Sequence, residues 1–316
     1  MSWQSALICW FLRRRFLPAT REPIDVAFAR AHAAKRVWSP RPPNGFRLHE
    51  QYAAADAPLR GEWLLRVAGA TRTILYFHGG GYYFCSPKSH RSITFGLAPR
   101  AQADVFSLDY RLAPEHPFPA AHDDALAAYR QLLATGRRAG SIVIAGDSAG
   151  GGLALATLVA LRDAGDPLPA GALLYSPWTD LACTGASLRE NDGQDPMFSA
   201  DAFARVAPLY LGATHATHPW ASPVHADLRG LPPLFMLAGS TEVLLDDTLR
   251  VADRARAAGV RVECEIGQGL PHIWPIYAPF APEARRALDD SARFVRRVTA
   301  TADAQGPQSS ETSIAS

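Results

Sequence analysis

The feature that most restricts the fold is a strand pattern that runs into a glycine-bracketed serine and then directly into a helix pattern. Ile142-Val143-Ile144 is a short β-branched run, and it ends at Gly146-Asp147-Ser148-Ala149-Gly150. Leu153, Leu155, Ala156, Leu158, Val159 and Leu161 follow at helical spacing. A chain that passes from strand to helix this abruptly has no room for a Cβ at Gly146 or Gly150. The serine hydroxyl is lifted clear of the sheet edge, at a helix N-terminus whose dipole favours developing negative charge. Strand, Gly-x-Ser-x-Gly and helix in that order make a nucleophile elbow, with Ser148 as the nucleophile. Without its flanks the motif would be only a glycine-rich turn carrying an incidental serine.

Around that turn, strand and helix patterns alternate. Residues 63–67, 73–77, 104–108, 172–175, 234–237 and 260–264 read as strands, and 120–134, 247–258 and 282–298 as helices. This alternation predicts an α/β fold, a mainly parallel sheet wrapped by helices on both faces. It lapses twice. Residues 1–45 read as helices, with Leu7, Ile8, Phe11 and Leu12 and then Val26, Ala29 and Ala33 at helical spacing. A linker, Ser39-Pro40-Arg41-Pro42-Pro43-Asn44-Gly45, closes that segment. Residues from about 181 to 228 mix helical pieces such as 202–211 with many Pro, Gly and Asp. They are expected as an insertion that shares a helical cap with the N-terminal helices. The catalytic body is then expected over 46–300, and the Ser-, Thr- and Gln-rich residues 301–316 as a disordered tail.

Charge and cysteine usage exclude several classes. With 32 basic and 30 acidic residues the net charge is +2, too small to argue for nucleic acid or a membrane surface as partner. Cys9, Cys85, Cys183 and Cys264 are scattered, with no Cys-x-x-Cys pair. Neither a disulfide framework nor a zinc site is suggested, and a cytoplasmic protein with reduced thiols is the simpler expectation. The apolar stretch 3–12 precedes Arg13-Arg14-Arg15, the reverse of a secretory signal, and is too short to span a bilayer. An amphipathic helix packed on the protein is expected there, with a membrane-surface anchor as the alternative.

A serine nucleophile needs an oxyanion site, a base and an acid to orient the base. His78-Gly79-Gly80-Gly81 follows directly on the strand ending at Phe77, and its glycines let backbone N–H groups approach a reacting carbon. The expected donors are the N–H groups of Gly79, Gly80 and Ala149, with His78 orienting the loop. A phosphate loop would need Lys-Ser/Thr next, where this chain has Tyr82-Tyr83-Phe84-Cys85. Among histidines after the serine, 215, 218 and 225 fall in or beside the insertion. His272 lies in a loop after a late strand, at the sheet edge where a base belongs, and is expected as that base. Glu242, Asp246 and Asp247 all follow the strand through Leu237 and are all candidates for the acid. Asp246 and Asp247 suit the first turn of the next helix, which favours Glu242.

These motifs together resemble the bacterial hormone-sensitive-lipase family of esterases within the α/β-hydrolase fold. The resemblance rests on His78-Gly79-Gly80-Gly81, on Gly146-Asp147-Ser148-Ala149-Gly150-Gly151, and on Tyr110-Arg111-Leu112-Ala113-Pro114-Glu115 with Pro117-Phe118-Pro119-Ala120 after it. It extends from about residue 48 to 298. In that family the acid is usually the first Asp of Asp-Pro-Leu-x-Asp. Laying Glu242-Val243-Leu244-Leu245-Asp246 on the pattern puts Glu242 on the acid, with Glu for Asp and Val for Pro. Cys85 stands where a glycine would be expected. The resemblance implies a carboxylesterase acting on small esters of short to medium acyl length, without metal or organic cofactor. Tyr82, Tyr83 and Phe84 after the oxyanion loop, and Phe203 and Tyr210 in the cap, are the expected pocket residues. Homodimers are common in the family. The same triad also serves lactone or amide hydrolysis and acyl transfer, and the same fold serves receptors, which would be expected to lack the base.

Overall fold

The computed structural model describes residues 1–35, 40–53 and 57–304, without the side chains of 301–304. In chain order the elements are α1 (Trp3–Arg15), α2 (Val26–Lys35), β1 (Phe46–Gln51), β2 (Gly61–Arg66), β3 (Thr73–Phe77), α3 (Arg91–Ala101) and β4 (Asp104–Leu108). Next come α4 (Ala120–Ala134), β5 (Ile142–Asp147), α5 (Ala149–Asp163), β6 (Gly171–Tyr175), α6 (Ser187–Glu190) and α7 (Ala200–Leu211). The chain closes with β7 (Leu234–Gly239), α8 (Leu245–Ala257), β8 (Val262–Gly267) and α9 (Pro282–Ala304).

The strands form one eight-stranded sheet in the order β1-β2-β4-β3-β5-β6-β7-β8. From β4 to β8 neighbours run parallel, whereas β2 is antiparallel to both β1 and β4. Every residue of β3, β4, β5, β6 and β7 is buried. Helices cover both faces of such strands, which is why they read as unbroken apolar runs rather than as alternation. On one face α4, α5 and α8 contribute Tyr129, Leu155 and Val251 to the core, and on the other α3 and α9 contribute Leu97 and Phe294. Leu75 of β3 lies fully inside the first layer. Leu75→Ala is expected to lower unfolding free energy by about 2–5 kcal/mol, read as a drop in urea midpoint at unchanged slope.

Two elements were not visible in the sequence. β1 is the edge strand, Phe-Arg-Leu-His-Glu-Gln, mostly exposed; it shows no continuous apolar run because one side of it faces water. α3 carries Gly96 and, near its end, Pro99, both poor helix residues. Packing decides there, because a Cβ at Gly96 would press on Leu288 of α9.

The N-terminal segment and the segment between β6 and β7 meet each other. Phe16 sets its ring edge-on to Phe198 at 5.7 Å, Ser199 N donates to Thr20 Oγ1 at 3.2 Å, and Arg13 donates to Gly193 O at 3.1 Å. α1 does pack on the protein, but by Ser5, Cys9 and Leu12. Helix α9 runs through Ala304, four residues into the segment expected as a tail. The rest of that tail, and residues 36–39 of the N-terminal segment and linker, lie outside the described residues.

Candidate active site

β5 delivers Ser148 at the sheet's carboxyl edge with φ 53° and ψ −122°, a conformation that L-residues rarely adopt. Three backbone bonds hold it there: Ser148 N donates to Tyr175 O at 2.8 Å, and Ser148 O accepts from Gly152 N at 3.1 Å and Trp178 N at 2.9 Å. A Cβ on Gly146 would collide with Gly150 O, and one on Gly150 with the carbonyls of Phe77 and His78. The two glycines therefore serve the turn itself and its close approach to β3.

His272 and Glu242 arrive from loops after β8 and β7, and both are buried. His272 Nδ1 lies 2.7 Å from Glu242 Oε2. The other carboxylate oxygen accepts from Ser176 Oγ at 2.7 Å and from Gly239 N. Ser176 Oγ also accepts from Ile273 N at 3.0 Å, so one hydroxyl ties the acid to the loop bearing the imidazole. Ser176 directly follows Tyr175, whose carbonyl holds Ser148. No sequence signal marked this serine; its role comes from where the end of β6 falls. Burial alone would depress the His272 pKa, but the Glu242 charge and hydrogen bond outweigh it and hold it above the usual histidine value.

The competing carboxylates are engaged elsewhere. Asp246 accepts from Ser187 N at 3.0 Å, and Asp247 from the N–H groups of Thr179 and Asp180 at 2.7 and 2.8 Å. Burial pushes the Asp247 carboxyl up to about 7. His272 Nε2 is buried without a hydrogen-bond partner, and no hydrogen bond joins it to Ser148 Oγ. Such bonds are often long before substrate binds.

The oxyanion loop differs from expectation at one position. Gly79 N donates to the buried carboxylate of Asp147 at 3.1 Å, so it is not free to meet an oxyanion. Among the described residues the N–H groups of Gly80, Gly81 and Ala149 carry no hydrogen bond. Asp147 is the hub behind the loop, accepting also from Tyr76 Oη at 2.6 Å and from His90 Nε2 at 3.1 Å. Burial works against both charges of this pair, but each outweighs it for the other: the His90 pKa lies above the usual value and that of Asp147 below. His78 is stacked on Tyr110, 4.3 Å between ring centres, and its Nδ1 contacts Gly79 O at 2.7 Å. Burial, then the neighbouring His90, push its pKa down to about 3, so it stays neutral. Asp147→Ala would strand a buried His90 and two other donors. It is expected to cost about 3–5 kcal/mol of stability, measurable by denaturant titration.

Three of the expected pocket residues, Tyr82, Tyr210 and Phe203, belong to one aromatic cluster joined through Trp178. Tyr82 and Tyr210 stack on each other at 3.7 Å, both buried, and Phe203 packs on Trp178 at 5.1 Å. Tyr83 and Phe84 are half-buried and pack together at 4.7 Å. Cys85 has φ 71°, the left-handed backbone that would suit a glycine. Sequence reading missed Phe198, whose ring meets the His272 ring edge-on at 5.1 Å. It stands in an irregular segment, where no periodicity marks an aromatic as functional.

A sheet of this order, with a strained serine at the turn after its fifth strand, defines an α/β-hydrolase. A sequence profile described as the alpha/beta hydrolase fold matches residues 74–276. An acetyl-hydrolase of Streptomyces hygroscopicus is 48% identical over 238 residues, 75% of this chain and 80% of that protein. An esterase of Acinetobacter venetianus is 38% identical over 239 residues, covering 75% and 79% respectively. The crystal structure of an esterase from the bacterial hormone-sensitive lipase family superposes with a TM-score of 0.86 at 37% identity, over 95% of this chain and 99% of that one. The chain belongs to the α/β-hydrolase family, in its bacterial hormone-sensitive-lipase branch of esterases.

Proposed function

We propose that this chain is a serine carboxylesterase that hydrolyses esters of short to medium acyl length. The relatives named esterase and acetyl-hydrolase support the reaction class. The observation that carries the reading is the buried Glu242–His272 pair, 2.7 Å apart, with Nε2 left without a partner. In the proposed reaction Ser148 Oγ attacks the ester carbonyl carbon and passes its proton to His272 Nε2. Glu242 holds the imidazolium. The N–H groups of Gly80, Gly81 and Ala149 are the proposed donors to the oxyanion, and the helix α5 dipole adds to them. The alcohol leaves with the proton from Nε2. Water then attacks the acyl-enzyme carbonyl and gives a proton to the same imidazole; the bond from the acyl carbon to Ser148 Oγ breaks, Oγ takes that proton back, and the carboxylic acid leaves.

The N-terminal segment and the insertion that holds α6 and α7 are proposed to form one cap over this centre, with Phe203, Tyr210 and Phe198 limiting the acyl chain. A series of p-nitrophenyl esters of increasing acyl length tests the reading. The expected result is a maximum in kcat/KM within the short to medium range. No turnover of any member would overturn the reading.

The acid limb of activity follows from the imidazole. His272 must be neutral to accept a proton, and its pKa is held above 6.5. Activity is therefore expected to fall as pH drops through a midpoint above 6.5, in kcat/KM profiles of the free enzyme.

A further inference from the structure

Helix α1 sits on the body in an unusual sense. Its buried positions are Ser5, Cys9 and Leu12. Trp3 is 73% exposed, Leu7 56%, Trp10 52% and Phe11 52%. Positions 3, 7, 10, 11 and 14 share one helix face, so these large apolar side chains form a single stripe in water. Scattered exposed apolar residues are ordinary, but two tryptophans, a leucine and a phenylalanine in one stripe are not.

The stripe has a charge attached to it. Residues 1–21 contain four arginines, at 13, 14, 15 and 21, and no Asp or Glu, a local charge of 4 − 0 = +4 in a chain whose total is +2. Arg14 lies over the Trp10 ring, 4.8 Å from its centre, at the edge of the apolar stripe. Arg13, Arg14 and Arg15 are all exposed. The stripe holds no carboxylate that could receive the arginines of a second copy. With 13 residues, α1 is about 20 Å long and cannot cross a bilayer. No helix among the described residues is long and apolar enough to do so. A short helix with Trp, Leu and Phe on one side and arginine at its margin fits the plane between headgroups and acyl chains.

We infer that α1 is an interfacial docking helix that seats the protein on an anionic lipid surface through Trp3, Leu7, Trp10 and Phe11, with Arg14 and Arg15 on the headgroups. Phe16, just past the helix, touches Phe198, which touches the His272 ring, so the docked side carries the cap segment next to the candidate active site. Docking is read directly as binding and does not depend on the esterase reading.

The test is co-sedimentation of the full chain with vesicles of phosphatidylcholine mixed with phosphatidylglycerol, and with vesicles of phosphatidylcholine alone. The wild-type chain is expected to bind the anionic vesicles, and to bind roughly tenfold more weakly to neutral ones or in high salt. Trp3→Ser combined with Leu7→Ser and Trp10→Ser is expected to lose roughly tenfold or more in binding. Arg14→Gln with Arg15→Gln is expected to remove the preference for anionic lipid. Both variants change exposed side chains, so the thermal midpoint and the hydrolysis of a water-soluble ester are expected to stay as in the wild type. The inference is overturned if the wild-type chain ignores anionic vesicles, or if the apolar variant binds them equally well. It is also overturned if the chain self-associates without lipid and the apolar variant abolishes that association.

Discussion

Ser148→Ala is expected to lower kcat on a short-acyl chromogenic ester by about 10⁴–10⁶-fold, with the far-ultraviolet circular dichroism unchanged. The hydroxyl is the proposed nucleophile, and alanine carries none. A second substitution separates chemistry from folding. Ser148 stands at φ 53°, where a Cβ is strained and glycine is not. Ser148→Gly is therefore expected to be equally inactive but to unfold at higher denaturant, by about 1 kcal/mol. Retained turnover in either variant would remove Ser148 from the mechanism. An alanine variant that fails to fold would leave the glycine variant to decide.

The second large effect concerns the acid. Glu242→Gln is expected to reduce kcat by about 10⁴-fold, about 5.4 kcal/mol in barrier, because the amide no longer stabilises the imidazolium or fixes the tautomer. It also carries a signature that a merely structural loss would not. Burial depresses the His272 pKa, and the Glu242 charge is the largest influence raising it. With that charge gone burial wins, and the acid limb of the residual activity is expected to move from above 6.5 to below it. Asp246→Asn is expected to leave kcat within a few-fold, since Asp246 is engaged with Ser187 at the start of α8. The opposite ranking of the two variants in steady-state kinetics would return the acid role to Asp246.

Much of the site was legible because strand-turn-helix chemistry is local. Ser148 follows from a β-branched run, two glycines and a helical pattern within about twenty residues, and His272 from its place after a late strand. The acid was open in the sequence, since three carboxylates lie within six positions of one another. In space the three part: Asp246 and Asp247 begin α8 and are taken up by backbone N–H groups, whereas Glu242 sits one turn earlier, against His272. Gly79 shows the limit of motif reading. A glycine in the right loop looks like an oxyanion donor until a buried carboxylate from the neighbouring strand captures its N–H. α1 is a further case, because helical spacing marks an apolar stretch but cannot say which side the body covers.

The sequence by itself determined the α/β order of elements, the elbow and the serine at its tip. These depend on backbone sterics and on periodicity within a few turns of chain. Only the tertiary structure decided which carboxylate meets His272, that Ser176 links the acid to the histidine loop, and that Asp147 claims Gly79. It also left the tryptophans of α1 facing water. Each of these depends on groups between about thirty and one hundred and eighty positions apart, whose meeting is fixed by sheet order and packing rather than by any local pattern.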